Sequence, residues 1–151
     1  MIEIIEYEDK FHEDFRQLNL EWLNTYNLLE SHDQIVLDDP RGTIIDRGGF
    51  IYLAKSGDEI IGTAGLAKEH DGEYELIKMF VAPALRGKGI SRILIEKCLD
   101  KAKEIGAKKL LLYSNSQLTT AINLYSKYGF QHVPVVDAPF VTADVKMELE
   151  L

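Results

Sequence analysis

A short basic segment contains the residues of this sequence best suited to bind an anion. From residue 83 to residue 92 there is no acidic side chain, and three are basic: Arg86, Lys88 and Arg92. Gly87 and Gly89 can adopt positive φ angles and let a ligand approach the backbone. A predicted helix begins directly afterwards, so its free N–H groups and its dipole would point towards the ligand. The segment Val81–Ser91 therefore predicts a site for two neighbouring phosphates.

Two common phosphate-binding motifs do not fit this segment. A Walker loop requires a glycine separated by four residues from Gly-Lys-Ser/Thr, but Ala82 and the run Gly87-Lys88-Gly89 break that pattern. A dinucleotide-binding fingerprint starting at Gly87 requires Gly or Ala where Arg92 stands. The preceding strand also belongs to a predicted antiparallel meander rather than to a βαβ unit. The sequence thus favours a different kind of pyrophosphate site.

Runs of apolar residues predict the strands that hold this segment. Strands are expected over residues 2–7, 50–54, 59–67, 74–81, 109–113 and 145–151. Short breaks at Gly57 and at Gly72 join the second, third and fourth of them into an antiparallel meander. Pro83 cannot continue a strand ladder, so it ends the fourth strand.

Helical spacing of apolar residues predicts the other elements. The first helix carries one apolar stripe, with Trp22 and Tyr26 expected in the core: Phe11, Phe15, Leu18, Trp22 and Tyr26. A shorter helix follows Ser31, and longer ones run from Gly89 to Gly106 and from Leu118 to Gly129. Residues 38–49 are expected to be loop. The element order predicts one mixed α/β domain over residues 1–151.

The composition is that of a soluble globular protein, with 46% hydrophobic and 28% charged residues. Seventeen Lys and Arg against 25 Asp and Glu argue against nucleic acid or an anionic membrane as a partner. Cys98 is the only cysteine, so we expect a buried thiol and a reducing compartment. The four histidines lack metal-ligand spacing, so we expect no metal. Without a signal-peptide pattern or a long apolar run, the expected location is cytoplasmic.

Two segments resemble the GCN5-related N-acetyltransferase (GNAT) family. Its signature Arg/Gln-x-x-Gly-x-Gly/Ala reads here Arg86-Gly87-Lys88-Gly89-Ile90-Ser91, with Ser in the last position. A second signature, Ala-x-x-Leu-Tyr-x-Lys-x-Gly-Phe, is complete from Ala121 to Phe130. The resemblance implies a mostly antiparallel central sheet of six to seven strands flanked by about four helices. A coenzyme A cleft would lie between the fourth and fifth strands.

The resemblance implies acetyl-CoA as cosubstrate and assigns residues to it. Backbone groups would pair with the pantetheine arm at Met79, Phe80 and Val81. The pyrophosphate would be surrounded by Arg86, Gly87, Lys88, Gly89, Ile90 and Ser91. Leu118 stands where the family often has an asparagine, so Asn115 is the candidate for that pantetheine contact. Asn123 is expected on the solvent face of its helix.

The resemblance also implies two catalytic roles. Tyr125 occupies the position that the family uses as the general acid near the thioester sulfur. Glu75 stands eleven residues before Arg86, the spacing of the general base in histone-type members. Burial among apolar neighbours would raise the pKa of Glu75 towards a useful range. Glu75 is alternatively a structural carboxylate paired with Lys78 or a loop donor, with proton transfer through water.

The acceptor is expected to be a primary amine of a small molecule or peptide, attacked directly in a ternary complex. In the family, the acceptor is set by the region that corresponds here to residues 21–49. That region carries a net acidic set suited to an ammonium group: Glu21, Glu30, Asp33, Asp38, Asp39 and Asp46. Two alternatives stay open, a non-catalytic acyl-CoA sensor and a protein lysine or N-terminal acetyltransferase. An exposed strand edge would permit a homodimer.

Overall fold

Seven β-strands form one sheet in the computed structural model, which describes residues 1–151. The strands are β1 (Ile2–Glu6), β2 (Phe50–Ser56), β3 (Glu59–His70), β4 (Glu73–Val81), β5 (Lys109–Ser114), β6 (Gln131–Val133) and β7 (Val145–Glu150). Their order across the sheet is β1-β2-β3-β4-β5-β7-β6, and only the pair β4–β5 is parallel. The predicted mixed α/β fold with a mostly antiparallel sheet is confirmed.

Tight turns join β2, β3 and β4 into the predicted meander. Gly57 and Gly72 stand in these turns with φ angles of +60° and +79°, which glycine adopts without the steric cost of a Cβ. Pro83 follows the end of β4, as predicted, and begins a short 3₁₀ turn at Pro83–Leu85. The basic segment therefore lies at one end of the sheet, directly after the last strand of the meander.

Five α-helices cover the two faces of the sheet. They are α1 (His12–Thr25), α2 (Ser31–Asp38), α3 (Pro40–Thr43), α4 (Ile90–Glu104) and α5 (Thr119–Lys127). The core beneath α4 and α5 contains Leu66, Leu76 and Leu94, and the core beneath α1 and α2 contains Phe15, Leu37 and Leu53. Each fully buried Leu or Phe stabilises the fold by about 1.5–3 kcal/mol. None of the helices combines the length and the apolar character needed to cross a membrane.

Cys98 lies on the face of α4 that packs against the sheet, and its side chain is fully buried. Burial raises the pKa of its thiol to about 12, because a thiolate is poorly solvated in apolar surroundings. The predicted buried structural thiol is confirmed.

The prediction of loop over residues 38–49 is wrong in part. The segment contains α3 and a 3₁₀ turn at Ile45–Arg47. Pro40 occupies the first position of α3, where a fixed φ and a missing N–H are compatible with a helix. The Asp39 side chain accepts a hydrogen bond from the Gly42 N–H at 3.0 Å and caps this turn. The pair Asp39-Pro40 thus starts a short helix as well as ending α2.

The parallel pairing of β4 with β5 stops partway along both strands. The register runs from Glu73–Lys109 to Glu75–Leu111 and includes no later pair. Beyond this point β4 continues to Val81 beside β3 alone, while β5 continues to Ser114 beside β7. The two strands therefore separate, and the backbone groups of β4 that face β5 have no strand partner there.

Candidate functional site

A cleft of about 870 Å³ occupies the gap between the separating strands. Its walls come from residues 75–81 of β4, residues 112–115 around the end of β5, the basic segment, and α5. The C-terminal end of α1 and the residues Phe140, Thr142 and Ala143 also line it. The volume is within the range of roughly 300–1,000 Å³ typical of ligand sites. Glu75 and Tyr125, which are 50 positions apart in the sequence, both line this one cleft.

The basic segment lies at one end of the cleft with the backbone geometry that its glycines predict. Gly87 and Gly89 both have φ angles of +79°, and α4 begins immediately after Gly89. Arg86, Gly87, Gly89, Ile90 and Ser91 line the cleft, whereas Lys88 is exposed and is not part of the lining. The first N–H groups of α4 have no partner within the helix, so this end of the cleft is suited to a phosphate.

Three side chains form a stack that connects the basic segment to α1. The rings of Trp22 and Phe80 are 5.2 Å apart and inclined by 14°. The Arg86 guanidinium lies 5.0 Å from the centre of the Phe80 ring, and its Nε donates to the Val81 carbonyl at 3.3 Å. Cation–π contact holds the guanidinium near the cleft without pairing its charge. Arg86 therefore keeps its charge available to an anion.

The apolar stripe of α1 predicts that Trp22 and Tyr26 lie in the core, but they belong to it only in part. Both side chains are half-buried and line the cleft. The buried face of α1 is formed by Phe15, Asn19 and Leu23 instead. The stripe correctly locates the helix, but its C-terminal aromatic residues pack at the edge of the core and also face the cleft between β4 and β5.

The strand segment expected to contact the pantetheine arm contains a β-bulge. The register of β3 with β4 shifts between Thr63 and Gly65, which leaves an extra residue on β4 between Ile77 and Phe80. Lys78 adopts a φ angle of +51° at this point, a strained conformation for a residue with a side chain. The bulge changes the direction of β4 where Met79, Phe80 and Val81 line the cleft.

A buried chain of polar side chains holds this bulge. Thr63 Oγ1 donates to the Lys78 carbonyl at 2.6 Å and accepts a longer bond of 3.4 Å from Asn19 Nδ2. Asn19 Oδ1 in turn accepts from Trp22 Nε1 at 2.9 Å. Asn19 and Thr63 are both fully buried. The sequence analysis missed these residues, and the polar position of Asn19 on an otherwise apolar helix face is the only signal for them.

The Lys78 side chain forms an ion pair inside the cleft wall. Its Nζ lies 2.5 Å from Asp33 Oδ1, and the two side chains are only 7% and 3% exposed. Asp33 Oδ2 also accepts from the Glu30 N–H at 2.9 Å. The Phe140 ring covers the ammonium group at 5.6 Å. One interpretation of Glu75 made it a structural carboxylate paired with Lys78. Because Lys78 is paired with Asp33 instead, that pairing is not found.

Glu30 fastens the segment between β6 and β7 across the mouth of the cleft. Its carboxylate accepts from the N–H groups of Val141 and Thr142 at 2.8 and 2.9 Å and from the Thr142 hydroxyl. These bonds lower the pKa of Glu30, although burial of the carboxylate opposes the shift. Phe140 and Thr142 are thereby held as part of the cleft lining.

Most of the expected acidic rim does not surround the cleft. Of its six residues only Asp33 is in the lining, and Asp33 is paired with Lys78. Asp38 pairs with Arg16 at 3.0 Å, and Asp39 caps α3. The prediction of an acidic rim is therefore wrong, because five of the six residues lie outside the cleft lining and the sixth, Asp33, is neutralised by Lys78.

Tyr125 lies on the side of the sheet covered by α4 and α5. Its side chain is 6% exposed and contacts Phe130, with ring centres 5.9 Å apart. Burial raises the pKa of the phenol above its ordinary value, so the hydroxyl stays protonated at neutral pH. Its hydroxyl makes no hydrogen bond within the chain, so it is free to donate to a group in the cleft.

Glu75 lies on the opposite face of the sheet, between Ala67 of β3 and Leu111 of β5. It is 7% exposed. Burial, followed by a hydrogen bond and repulsion from Glu69, raises the pKa of Glu75 well above its ordinary value. Glu75 thus has the environment of a base that accepts and releases a proton near neutral pH.

The asparagine candidates occupy different places. Asn115 is at the cleft, but its Nδ2 donates to the Thr142 carbonyl at 2.8 Å and its Oδ1 accepts from the Gln117 N–H at 3.1 Å. Leu118 packs against the core beneath α1 and α2 and also lines the cleft. Asn123 is exposed, as predicted, at the rim of the cleft.

The arrangement fits an elongated ligand with a pyrophosphate at one end. Unpaired backbone groups of β4 are suited to an amide-containing arm, because an added chain can continue the strand pairing. Arg86 and the start of α4 are suited to its phosphates. Glu75 and Tyr125 reach the gap from opposite faces of the sheet, so the site can remove one proton and supply another.

Comparisons with known proteins identify the family of this chain. Residues 7–130 match the sequence model of the acetyltransferase (GNAT) family. YvbK of Bacillus subtilis, an uncharacterized N-acetyltransferase, is 30% identical over 114 residues, covering 74% of this chain and 73% of that protein.

Solved structures share the fold over the full length. An acetyltransferase of the GNAT family from Staphylococcus aureus superposes with a TM-score of 0.92 at 25% identity, covering 99% of both chains. PaiA N-acetyltransferase from Thermoplasma acidophilum, solved in complex with coenzyme A, has a TM-score of 0.80 at 18% identity and covers 100% of this chain and 99% of its own. With the family match, these similarities establish that the chain belongs to the acetyltransferase (GNAT) family.

Proposed function

We propose that the chain transfers an acetyl group from acetyl-CoA to a primary amine of a small molecule or peptide, by direct attack in a ternary complex. We further propose that residues 1–151 act as one domain, because the seven strands form one sheet. The observation that carries the activity is the shared cleft, in which a buried carboxyl and a buried phenol accompany a basic, glycine-containing helix start.

The donor would be held by contacts along the length of the cleft. Arg86 and the N–H groups at the start of α4 bind the pyrophosphate through charge-assisted hydrogen bonds. Met79 to Val81 offer unpaired backbone groups to the pantetheine arm. Lys88 contributes at most a long-range charge, since its side chain points away from the lining. Acetyl-CoA supplies the thioester, and no metal is required.

Glu75 and Tyr125 divide the proton transfers between them. An amine must lose a proton before it attacks a thioester, and Glu75 accepts that proton directly or through water. The Tyr125 hydroxyl donates a proton to the departing sulfur. The phenol keeps its proton at neutral pH. The raised pKa of Glu75 makes its ionised form a stronger base, better matched to an ammonium group than an ordinary carboxylate. Binding both substrates in one cleft makes the attack effectively intramolecular.

A thiol-release screen with acetyl-CoA tests this proposal over amines, amino acids, aminoglycoside antibiotics and peptides. We expect an amine-dependent release of coenzyme A and an acetylated amine of the corresponding mass. A matched Glu75→Gln variant should lose kcat/KM over roughly pH 6 to 9, because Gln cannot accept a proton. Tight coenzyme binding without turnover for any amine would replace the proposal with an acyl-CoA sensor. Turnover of peptides alone would identify a protein acetyltransferase.

A further inference from the structure

Glu75 has a second carboxyl group as its immediate neighbour. Glu69 of β3 is hydrogen-bonded to it, while two lysines face it from other elements, Lys78 of β4 and Lys146 of β7. Lys78 is already paired with Asp33, and Lys146 lies 3.6 Å from Glu148 and over the Tyr113 ring of β5. Neither ammonium group is therefore available to Glu75 alone. The carboxyl group of Glu69 is therefore the direct hydrogen-bond partner of Glu75.

The register of β3 explains how Glu69 reaches Glu75. Lys68 pairs with Tyr74 and His70 with Glu73, so Glu69 is an extra residue on β3 without a partner on β4. Ala67 and Glu75 lie on one face of the sheet, whereas Tyr74 packs on the other. Because alternate residues of a strand share a face, Glu69 lies on the same face as Ala67 and Glu75, and the bulge leaves it without a residue directly opposite on β4. Glu69 is exposed and Glu75 is buried, so the pair extends from the cleft to water.

The chemistry of the site requires such a connection. An amine that enters as an ammonium ion gives one proton to Glu75. A second proton leaves its nitrogen as the amide bond forms and the C–S bond breaks, and it replaces the proton that Tyr125 gives to the sulfur. One net proton must therefore leave the site in each turnover. Glu75 can pass its proton to the Glu69 carboxylate, which releases it to water and returns Glu75 to its basic form.

We propose that Glu69 is a positioning residue that shares the proton of Glu75 and thereby sets the pH range over which Glu75 accepts a proton. The role in turnover rests on the proposed acetyl transfer, but the shared proton exists in the free protein. Two carboxyl groups in hydrogen-bond contact do not both ionise readily, so the buried one retains its proton to a higher pH.

The test is a ¹³C NMR titration of the glutamate carboxyl groups in the ligand-free full chain, with the Glu75 signal assigned by its loss in Glu75→Gln. Glu69→Gln should move the titration midpoint of Glu75 downwards by about one pH unit. The acid limb of kcat/KM should move in the same direction by a similar amount. Glu73→Gln is the matched control, because Glu73 stands nearby on β4 but pairs with Lys109 at 3.2 Å.

A midpoint in Glu69→Gln that coincides with that of the parent or of Glu73→Gln would overturn the proposal. A clear downward movement would support it even if no amine is acetylated, because the titration needs no substrate. In that case the proposed acetyl transfer fails while the carboxyl pair stands. Circular dichroism of both variants shows whether they are folded. In Glu69→Asp a shorter carboxyl group remains, so the titration midpoint of Glu75 should lie between those of the parent and of Glu69→Gln.

Discussion

The hydroxyl of Thr63 donates to the backbone carbonyl of Lys78 at 2.6 Å, 15 positions away in sequence and across the bulge of β4. This bond supports a non-glycine residue with a φ angle of +51°. Strained backbone of this kind persists only where surrounding contacts determine it. The bond therefore supports the bulge at which β4, still paired with β3, turns to line the cleft.

Thr63→Val should remove this support while keeping the side-chain shape. The Lys78 carbonyl and Asn19 Nδ2 each lose a buried partner, so we expect the free energy of unfolding to fall by about 1–3 kcal/mol. Urea denaturation measures it, and calorimetry with coenzyme A should show weaker binding. Thr43→Val is the control, because Thr43 also donates to a backbone carbonyl but in an exposed place. Equal losses in both variants would contradict the special role of Thr63.

Asp33→Asn should be strongly destabilising because it leaves the Lys78 ammonium group buried without its counter-charge. Breaking a buried ion pair in this way costs about 3–5 kcal/mol. Asp38→Asn removes the same charge from a pair with Arg16 that is 34% and 62% exposed, and the expected cost there is below about 1 kcal/mol. Thermal and urea unfolding of the two variants compare them directly. A small effect at Asp33 would mean that Lys78 finds another partner.

Arg86→Ala should weaken coenzyme A binding more than it alters the chemical step. A charge-assisted hydrogen bond contributes about 1.5–3 kcal/mol, so the expected loss of affinity is on the order of 10- to 100-fold. Calorimetry at two salt concentrations measures it, and the difference between parent and variant should shrink as salt screens the charge. Arg47→Ala, in the 3₁₀ turn far from the cleft lining, should bind normally. Unchanged affinity in Arg86→Ala would refute the pyrophosphate assignment.

Tyr125→Phe should reduce kcat by about 100-fold and leave coenzyme affinity intact, because general acid catalysis typically contributes at least this factor. The control is Tyr128→Phe, which removes the hydroxyl that donates to Glu96 at the protein surface. Steady-state kinetics and calorimetry together separate catalysis from binding. A fully active Tyr125→Phe variant would assign Tyr125 to packing alone.

Glu75 should make the stability of the folded chain depend on pH. Its folded-state pKa is raised above the ordinary value of 4.5, so its stabilising contribution is fully present below that pH and is lost as the pH rises towards the raised pKa. Glu75→Gln cannot ionise, and its free energy of unfolding should fall less between about pH 5 and about pH 8. Urea titrations at several pH values provide the comparison. Parallel curves would indicate that Glu75 titrates normally.

The local features of the site follow from the sequence. Gly87, Gly89 and the helix start at Ile90 are close together in the chain, and their backbone conformations depend mainly on their own residue types. The helices and the meander follow from apolar periodicity in the same way. The family signatures at Arg86 and Tyr125 then predict that these two residues belong to one cleft, and they do.

The supporting contacts do not follow from the sequence. Lys78 and Asp33 are 45 positions apart, and Glu30 and Thr142 are 112 apart. Such pairs depend on how the elements meet in space, and a single sequence contains no signal for them. The expected acidic rim fails for the same reason, because composition does not show which carboxylates already have partners. The assignment of Trp22 to the core holds only in part, because periodicity identifies a helix face but not the cleft that lies opposite its C-terminal end.

Because Cys98 is fully buried, the single thiol of this chain is unreactive in the folded protein. The thiolate is the reactive form of cysteine, and a pKa of about 12 leaves almost none of it at neutral pH. Cys98 is fully buried and does not line the cleft. The direct attack proposed above therefore predicts initial-rate lines that intersect, as in a sequential mechanism, rather than run parallel as in a ping-pong one. A thiol reagent added to the folded protein therefore counts released coenzyme alone. In denaturant the same reagent reports the separation of α4 from the sheet, because each molecule that unfolds exposes one Cys98 thiol to the reagent.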